Sequence, residues 1–205
     1  AGGGHTCALT TAGGVRCWGG NSYGQLGDGT TTTRLTPRVV SGLATGVKAI
    51  AAGGSFTCAL TTAGAIRCWG LNSVGQLGDG TTTNRLTPRA VSGLAAGVTA
   101  LATGFRHACA VTGARSARCW GANDYAQLGD GTTDDRLVPT LVNGLPSGIA
   151  AVAAGGSHTC ALTGAGALVM SFMSRLLRSE RFMAWRLSPF RVPPAWSVSR
   201  SARTR

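Results

Sequence analysis

Aromatic side chains are scarce in this chain, with five phenylalanines, five tryptophans and two tyrosines among 205 residues. A core built mainly on stacked rings is excluded. Acidic residues are scarcer still, seven against 19 basic ones. Long apolar runs are missing: the longest reaches about half of the ~18–20 residues that a helix needs to cross a bilayer, which excludes a membrane-spanning helix. Glycine is plentiful at 32 residues but has no every-third-residue beat, which excludes collagen. What remains is enough chain for one domain with a core, and its glycine and threonine suit many short strands and turns better than helices.

Written at a period of 51, residues 2–52, 53–103 and 104–154 lie over one another without gaps, and a fourth copy begins at Gly155. A recurrence this strong makes each unit one supersecondary block whose faces its neighbours cover. Within a unit the sequence predicts four short strands, in the first copy 36–40, 47–52, 5–10 and 15–19. Ala12, Gly13 and Gly14 supply the positive-φ positions of a tight hairpin between the last two. The stretch 20–36 holds Asn21, Gly24, Gly27, Asp28, Gly29 and a threonine run, so it reads as one long polar loop per unit. Four strands and one long loop in about 50 residues describe a propeller blade, and the 3.6-residue apolar rhythm of a helix-pair solenoid is missing. The expected fold is all-β, a partial β-propeller of about three to three and a half four-stranded blades.

The string HTCALTTAGGVRCWGGNSYGQLGDGT at 5–30, with its WG-x-N-x-x-G-Q-L-G centre, resembles the repeat of the regulator of chromosome condensation family. The likeness covers residues 1–167 and recurs in three copies. It implies a seven-bladed propeller in which strands from both chain ends close a blade. This chain carries fewer than half of those blades and begins in mid-repeat at Ala1, so it is expected to be a fragment of a longer protein. An arc of three blades leaves two blade faces unpaired, which invites self-association.

Six of the seven cysteines fall in pairs ten apart: Cys7 with Cys17, Cys58 with Cys68, Cys109 with Cys119. Around a turn centred on Ala12 the two members stand opposite on adjacent antiparallel strands. Directly opposed residues there have Cα atoms about 4.5–5.5 Å apart, within reach of a disulfide. Reduced buried thiols are a second reading. A third is a metal site, since His5, His107 and His158 each stand two residues before a cysteine. The second unit has Phe56 at that place, which speaks against a ligand. No cofactor is expected. Disulfides favour an extracellular, cell-surface or periplasmic location, with the cytoplasm as the alternative. Cys160 is left unpaired, because its partner would fall at 170, where the chain has Met170, and the expected tryptophan at 171 is Ser171.

From 168 the composition changes. The last 38 residues hold all three methionines, eight of the basic residues, one acid (Glu180) and no glycine. On a helical wheel 168–187 gathers Val169, Phe172, Met173, Leu176, Leu177, Met183 and Leu187 on one arc and Arg175, Arg178, Arg181 and Arg186 on another. That pattern fits a basic amphipathic helix for weak contact with anionic membrane or for a partner groove, followed by a disordered end. The other reading is a unit broken in mid-strand by an altered reading frame.

No catalytic constellation stands out. The three histidines occupy one structural position in different blades, and no Gly-x-Ser-x-Gly or P-loop spacing occurs. The Gly-Asp-Gly-Thr around Asp28, Asp79 and Asp130 lacks the alternating oxygen ligands of a calcium loop and reads as a turn. Trp18, Trp69 and Trp120 read as packing between blades, and Arg16, Arg67 and Arg118 as structural. Variation between units concentrates in the long loop, and loops on a rigid scaffold are where propellers bind. The candidate binding residues are Asn21, Tyr23, Asn72, Val74, Asn123, Asp124, Tyr125, Asp134 and Asp135. The expectation is a non-enzymatic scaffold for another protein, with no nucleic acid at the repeats. The resemblance implies two alternatives: guanine-nucleotide exchange on a small GTPase, as in the family's namesake, and enzyme inhibition, as in a secreted propeller that inhibits β-lactamases.

Overall fold

The computed structural model describes residues 1–171. Within them it is built from strands alone, in chain order β1 (His5–Leu9), β2 (Val15–Gly19), β3 (Arg34–Val39), β4 (Val47–Ala52), β5 (Phe56–Thr61), β6 (Ile66–Gly70), β7 (Arg85–Ala90), β8 (Val98–Thr103), β9 (His107–Thr112), β10 (Ala117–Gly121), β11 (Arg136–Leu141), β12 (Ile149–Ala154), β13 (Thr159–Thr163) and β14 (Leu168–Ser171). They form four antiparallel sheets in the orders β1-β2-β3, β4-β5-β6-β7, β8-β9-β10-β11 and β12-β13-β14. This is the partial propeller expected from the repeat.

Each tight hairpin closes in the same way. In the first, Thr10 N–H donates to Gly14 O (2.8 Å) and Gly13 N–H to Thr10 O (2.9 Å). Only Gly13 of the expected three residues has positive φ, at 77°. The turn sets the register, so Cys7 faces Cys17, and in the next two blades Cys58 faces Cys68 and Cys109 faces Cys119.

Blade and repeat unit are out of phase by one strand. β4 lies in unit 2–52 but heads the sheet of β5, β6 and β7, and β8 and β12 do the same for the following blades. Strands β4, β8 and β12 neighbour one another on the inner side. There the turns that follow them meet across the blades: Gly54 N–H donates to Phe105 O (3.0 Å), and Gly3 N–H to Gly54 O (3.1 Å). The outer edge is β3, β7 or β11, and each carries a proline, Pro37, Pro88 or Pro139. A proline lacks the N–H of a sheet ladder, so it is tolerated at an edge and blunts edge-to-edge pairing.

The core lies between sheets. Val15, Cys17, Leu26, Val40 and Leu43 pack with Val47, Ala59 and Trp69 of the next blade. Trp69 is fully buried and its Nε1–H donates to Gln25 O across the interface (2.9 Å); Trp120 does the same to Gln76 O (3.0 Å). The tryptophans are blade-to-blade packing, as their spacing suggests. Trp18, with no preceding blade among the described residues, is only half-buried.

One expectation needs correction. The helix read over 168–187 does not begin at 168: residues 168–171 are β14, which pairs with β13 through Leu162↔Leu168 and Cys160↔Met170. Thr163 and Ala167 close the same hairpin as in the other blades, Thr163 N–H donating to Ala167 O (2.9 Å), and this delivers the next residues to the sheet. Sheet pairing overrides the local helical period. The remaining residues of that helix and of the basic tail lie outside the described residues.

Candidate binding surface

The long connection between the last two strands of each blade is the variable part of the repeat, and its inside is a fixed polar network. Asn21, fully buried, donates from Nδ2 to Thr30 O (2.9 Å), Thr32 O (3.1 Å) and Asp28 Oδ1 (3.3 Å), while its Oδ1 accepts from Leu26 N–H (2.9 Å). Asp28 in turn accepts from Thr30 N–H (3.0 Å), Thr30 Oγ1–H (2.7 Å) and Arg34 Nε–H (2.7 Å). Asn72, Asp79, Thr81 and Arg85 repeat the arrangement, as do Asn123, Asp130, Thr132 and Arg136. Burial raises each aspartate's pKa, but the hydrogen bonds from the neighbouring threonine and arginine outweigh it, so all three lie below the ordinary value.

This network corrects part of the candidate list. Asn21, Asn72 and Asn123 are fully buried and cannot touch a partner; they hold the loop closed. The carboxylates of Asp28, Asp79 and Asp130 are taken up by internal donors, consistent with a turn, and Arg34, Arg85 and Arg136 are the members the sequence reading missed. Their signal was present, an arginine six residues after each of these aspartates at the same period. Tyr23 and Tyr125 are exposed, as are Asp124, Asp134 and Asp135; Val74 is half-buried. Asp135 also accepts from Asn123 N–H (2.8 Å), where Asn84 serves Asn72 (2.8 Å). Each candidate stays on its own blade's loop, so the set forms a row of separate tips.

The cysteine pairs stand at disulfide distance, with Sγ–Sγ 2.03, 2.07 and 2.12 Å and Cα–Cα 4.1 Å in each. Cys160 is a free, half-buried thiol. His5 and His107 of the His-x-Cys strings point between blades, while His158 is exposed. Thr57 Oγ1–H donates to Gln25 O (2.9 Å), so its oxygen accepts from His5 Nε2–H (2.8 Å). Thr159 joins Gln127 O (2.8 Å) to His107 (2.9 Å) in the same sense. In the middle interface Phe56 replaces the histidine and Ala108 the threonine, and both lie in one buried cluster. Burial lowers both His5 and His107 to a pKa of about 4, with nearby His158 adding to the effect on His107.

A family model described as Regulator of chromosome condensation (RCC1) repeat matches residues 12–60, 64–111 and 119–162. The Ultraviolet-B receptor UVR8 of Arabidopsis thaliana is 35% identical over 167 residues, 80% of this chain and 38% of the receptor. The E3 ubiquitin-protein ligase HERC2 of Homo sapiens is 38% identical over 161 residues, 77% of this chain and 3% of that protein. Among solved structures, human WBSCR16 superposes with a TM-score of 0.72 at 28% identity over 82% of this chain and 45% of its own. Yeast RCC1 (Prp20), solved with Kap60, gives 0.70 at 25% identity over 82% of this chain and 41% of the matched chain. The chain thus spans less than half the length of these relatives. With the tryptophan, cysteine and Gln-Leu-Gly positions recurring blade by blade and the family model matching each full repeat, the chain belongs to the regulator of chromosome condensation repeat family.

Proposed function

We propose that the repeats are a non-enzymatic scaffold that holds another protein on the tips of its long loops, at the cell surface or outside the cell. The observation that carries this reading is the division of labour within each loop. Asn21, Asp28 and Arg34 and their counterparts fix the backbone, while the exposed tip changes from Ser22-Tyr23 to Ser73-Val74 to Asp124-Tyr125. A rigid support with changeable tips suits recognition of a macromolecule. Yeast Prp20 has been solved bound to Kap60, and its binding to Gsp1p and histones has been described with a second structure, which supports the same class of role. Three cysteine pairs at bonding distance support an oxidising compartment.

The test is crosslinking-assisted capture from the native secretome with the full chain and with Tyr23→Ala/Tyr125→Ala. A partner held by the first and lost by the second is expected; a partner held equally by both removes the loop tips from the reading. Guanine-nucleotide exchange is the second reading, carried by the family's namesake. Exchange needs a wedge that opens the nucleotide site, and no insertion breaks the 51-residue period here. Accelerated nucleotide release from any member of a small-GTPase panel would reverse this order.

A further inference from the structure

The positive charge of the repeats is confined to one part of the arc. Residues 2–103 carry seven basic and two acidic side chains, whereas 104–154 carry four of each. On the second blade the excess gathers in one cleft, lined by Arg67 of β6, Asp79 of the long loop, and Arg85, Pro88, Arg89 and Ala90 of β7. Asp79 is already engaged by Arg85 at 2.8 Å. The other ion pairs among the described residues are Arg34–Asp28 and Arg136–Asp130, so the exposed guanidinium groups of Arg67 and Arg89 have no carboxylate partner there. The first blade has the same residue types in the same register, Arg16 with Arg38, and Arg38 faces Cys17 as Arg89 faces Cys68. On the third blade the pattern stops: Thr140 stands where the second arginine would be, and Arg118 donates to Pro139 O (3.4 Å). Asp124, Asp134 and Asp135 lie on that blade's loop and repel an anion.

We infer that the outer cleft of the second blade, together with the matching arginines of the first, binds an extended acidic peptide segment of a partner protein. This rests on the scaffold reading and names the chemistry of the partner. Guanidinium groups match carboxylates with directed, charge-assisted hydrogen bonds. Exposed aliphatic residues lie on the same outer strands, Leu35 at 92% and Leu86 at 38% exposure, so the segment carries aliphatic residues among its acids. Pro37 and Pro88 remove N–H groups from these edges, which leaves recognition to side chains in place of strand addition. None of the six residues lining the cleft is aromatic, so nucleic-acid bases have no stacking platform there.

The experiment is fluorescence anisotropy of a labelled glutamate–leucine peptide with the full chain at about 0.1 M salt, where surface charges are partly screened. Arg67→Glu/Arg89→Glu and Arg16→Glu/Arg38→Glu are each expected to weaken binding about tenfold. Lys48→Glu/Arg115→Glu, the same change in charge elsewhere, is expected to leave it within about twofold. Circular dichroism and thermal melting confirm that each variant keeps its fold. Equal weakening by the charge-matched control overturns the inference, as does tighter binding of a labelled single-stranded oligonucleotide that is lost in the same cleft variants. Tyr23→Ala/Tyr125→Ala separates the two readings: if it loses partner capture but keeps the peptide, both stand. If the wild-type chain captures a partner but does not bind the peptide, only the cleft falls.

Discussion

Gly24 and Gly75 occupy the same loop position with φ of 80° and 76°, and a Cβ on either would press into the next blade. At Gly24 it would lie 2.5 Å from Leu86 Cδ2 and 2.8 Å from Leu86 Cα; at Gly75 it would lie 2.7 Å from Leu137 Cα. The third copy has Ala126 there, at φ 54°, where no following outer strand lies among the described residues. Gly75→Ala is therefore expected to cost about 2–4 kcal/mol, the sum of left-handed strain and overpacking, while Ala126→Gly costs nothing or stabilises slightly. Urea unfolding of the two variants measures the difference. Arg115 is the converse case. It holds φ 57° in a hairpin turn where the other copies have Gly13, Gly64 and Gly166, so Arg115→Gly is expected to raise stability by about 1 kcal/mol in the same assay. These contrasts were legible as substitutions within the repeat, but their meaning was not. A sequence gives no distance to Leu86, and nothing in the letters of Asn21 says that the loop closes over it.

At the scale of the element, the unit of stability is the hairpin with a cysteine pair across it. A bridge between residues ten apart contributes about 2–3 kcal/mol on the chain-entropy account, against a net stability of roughly 5–15 kcal/mol for a typical domain. Full reduction is expected to shift the chemical unfolding midpoint strongly downward. Cys58→Ala/Cys68→Ala is expected to give about a third of that shift; mass spectrometry finding free thiols in the untreated protein would remove this source of stability. The strands themselves were readable. The expected 15–19 and 47–52 coincide with β2 and β4, because a closed hairpin turn and a glycine boundary mark them in the letters. The grouping of strands into blades was not readable. A period of 51 has no natural starting point, and only sheet pairing shows that β4 belongs with β5. The end of the last blade was misplaced for a related reason: the 168–171 stretch is apolar enough for either helix or strand, and pairing with β13 decides it.

At the scale of the whole molecule, the interfaces between blades set the response to pH. In the first and third interfaces the threonine hydroxyl gives its hydrogen to a glutamine carbonyl, so the histidine must donate from Nε2 and keep Nδ1 bare. That Nδ1 is buried and has no hydrogen-bond partner among the described residues. Burial disfavours the charged imidazolium and lowers both His5 and His107 from 6.5 to a pKa of about 4 in the folded state. The unfolded chain binds more protons between those values, so stability is complete above pH 6.5 and falls as the pH drops through 4, by about 3 kcal/mol for each histidine. The three aspartates, held below 3.8, lose their contribution only at still lower pH, so the window between 6.5 and 4 belongs to the histidines. The Phe56–Ala108 interface is indifferent to pH and supplies the control from within the chain. His5→Phe/Thr57→Ala copies it into the first interface and is expected to remove about half of the pH dependence measured by urea unfolding at pH 7 and pH 4.5. An unchanged pH dependence in that variant would place the titrating groups elsewhere than between the blades.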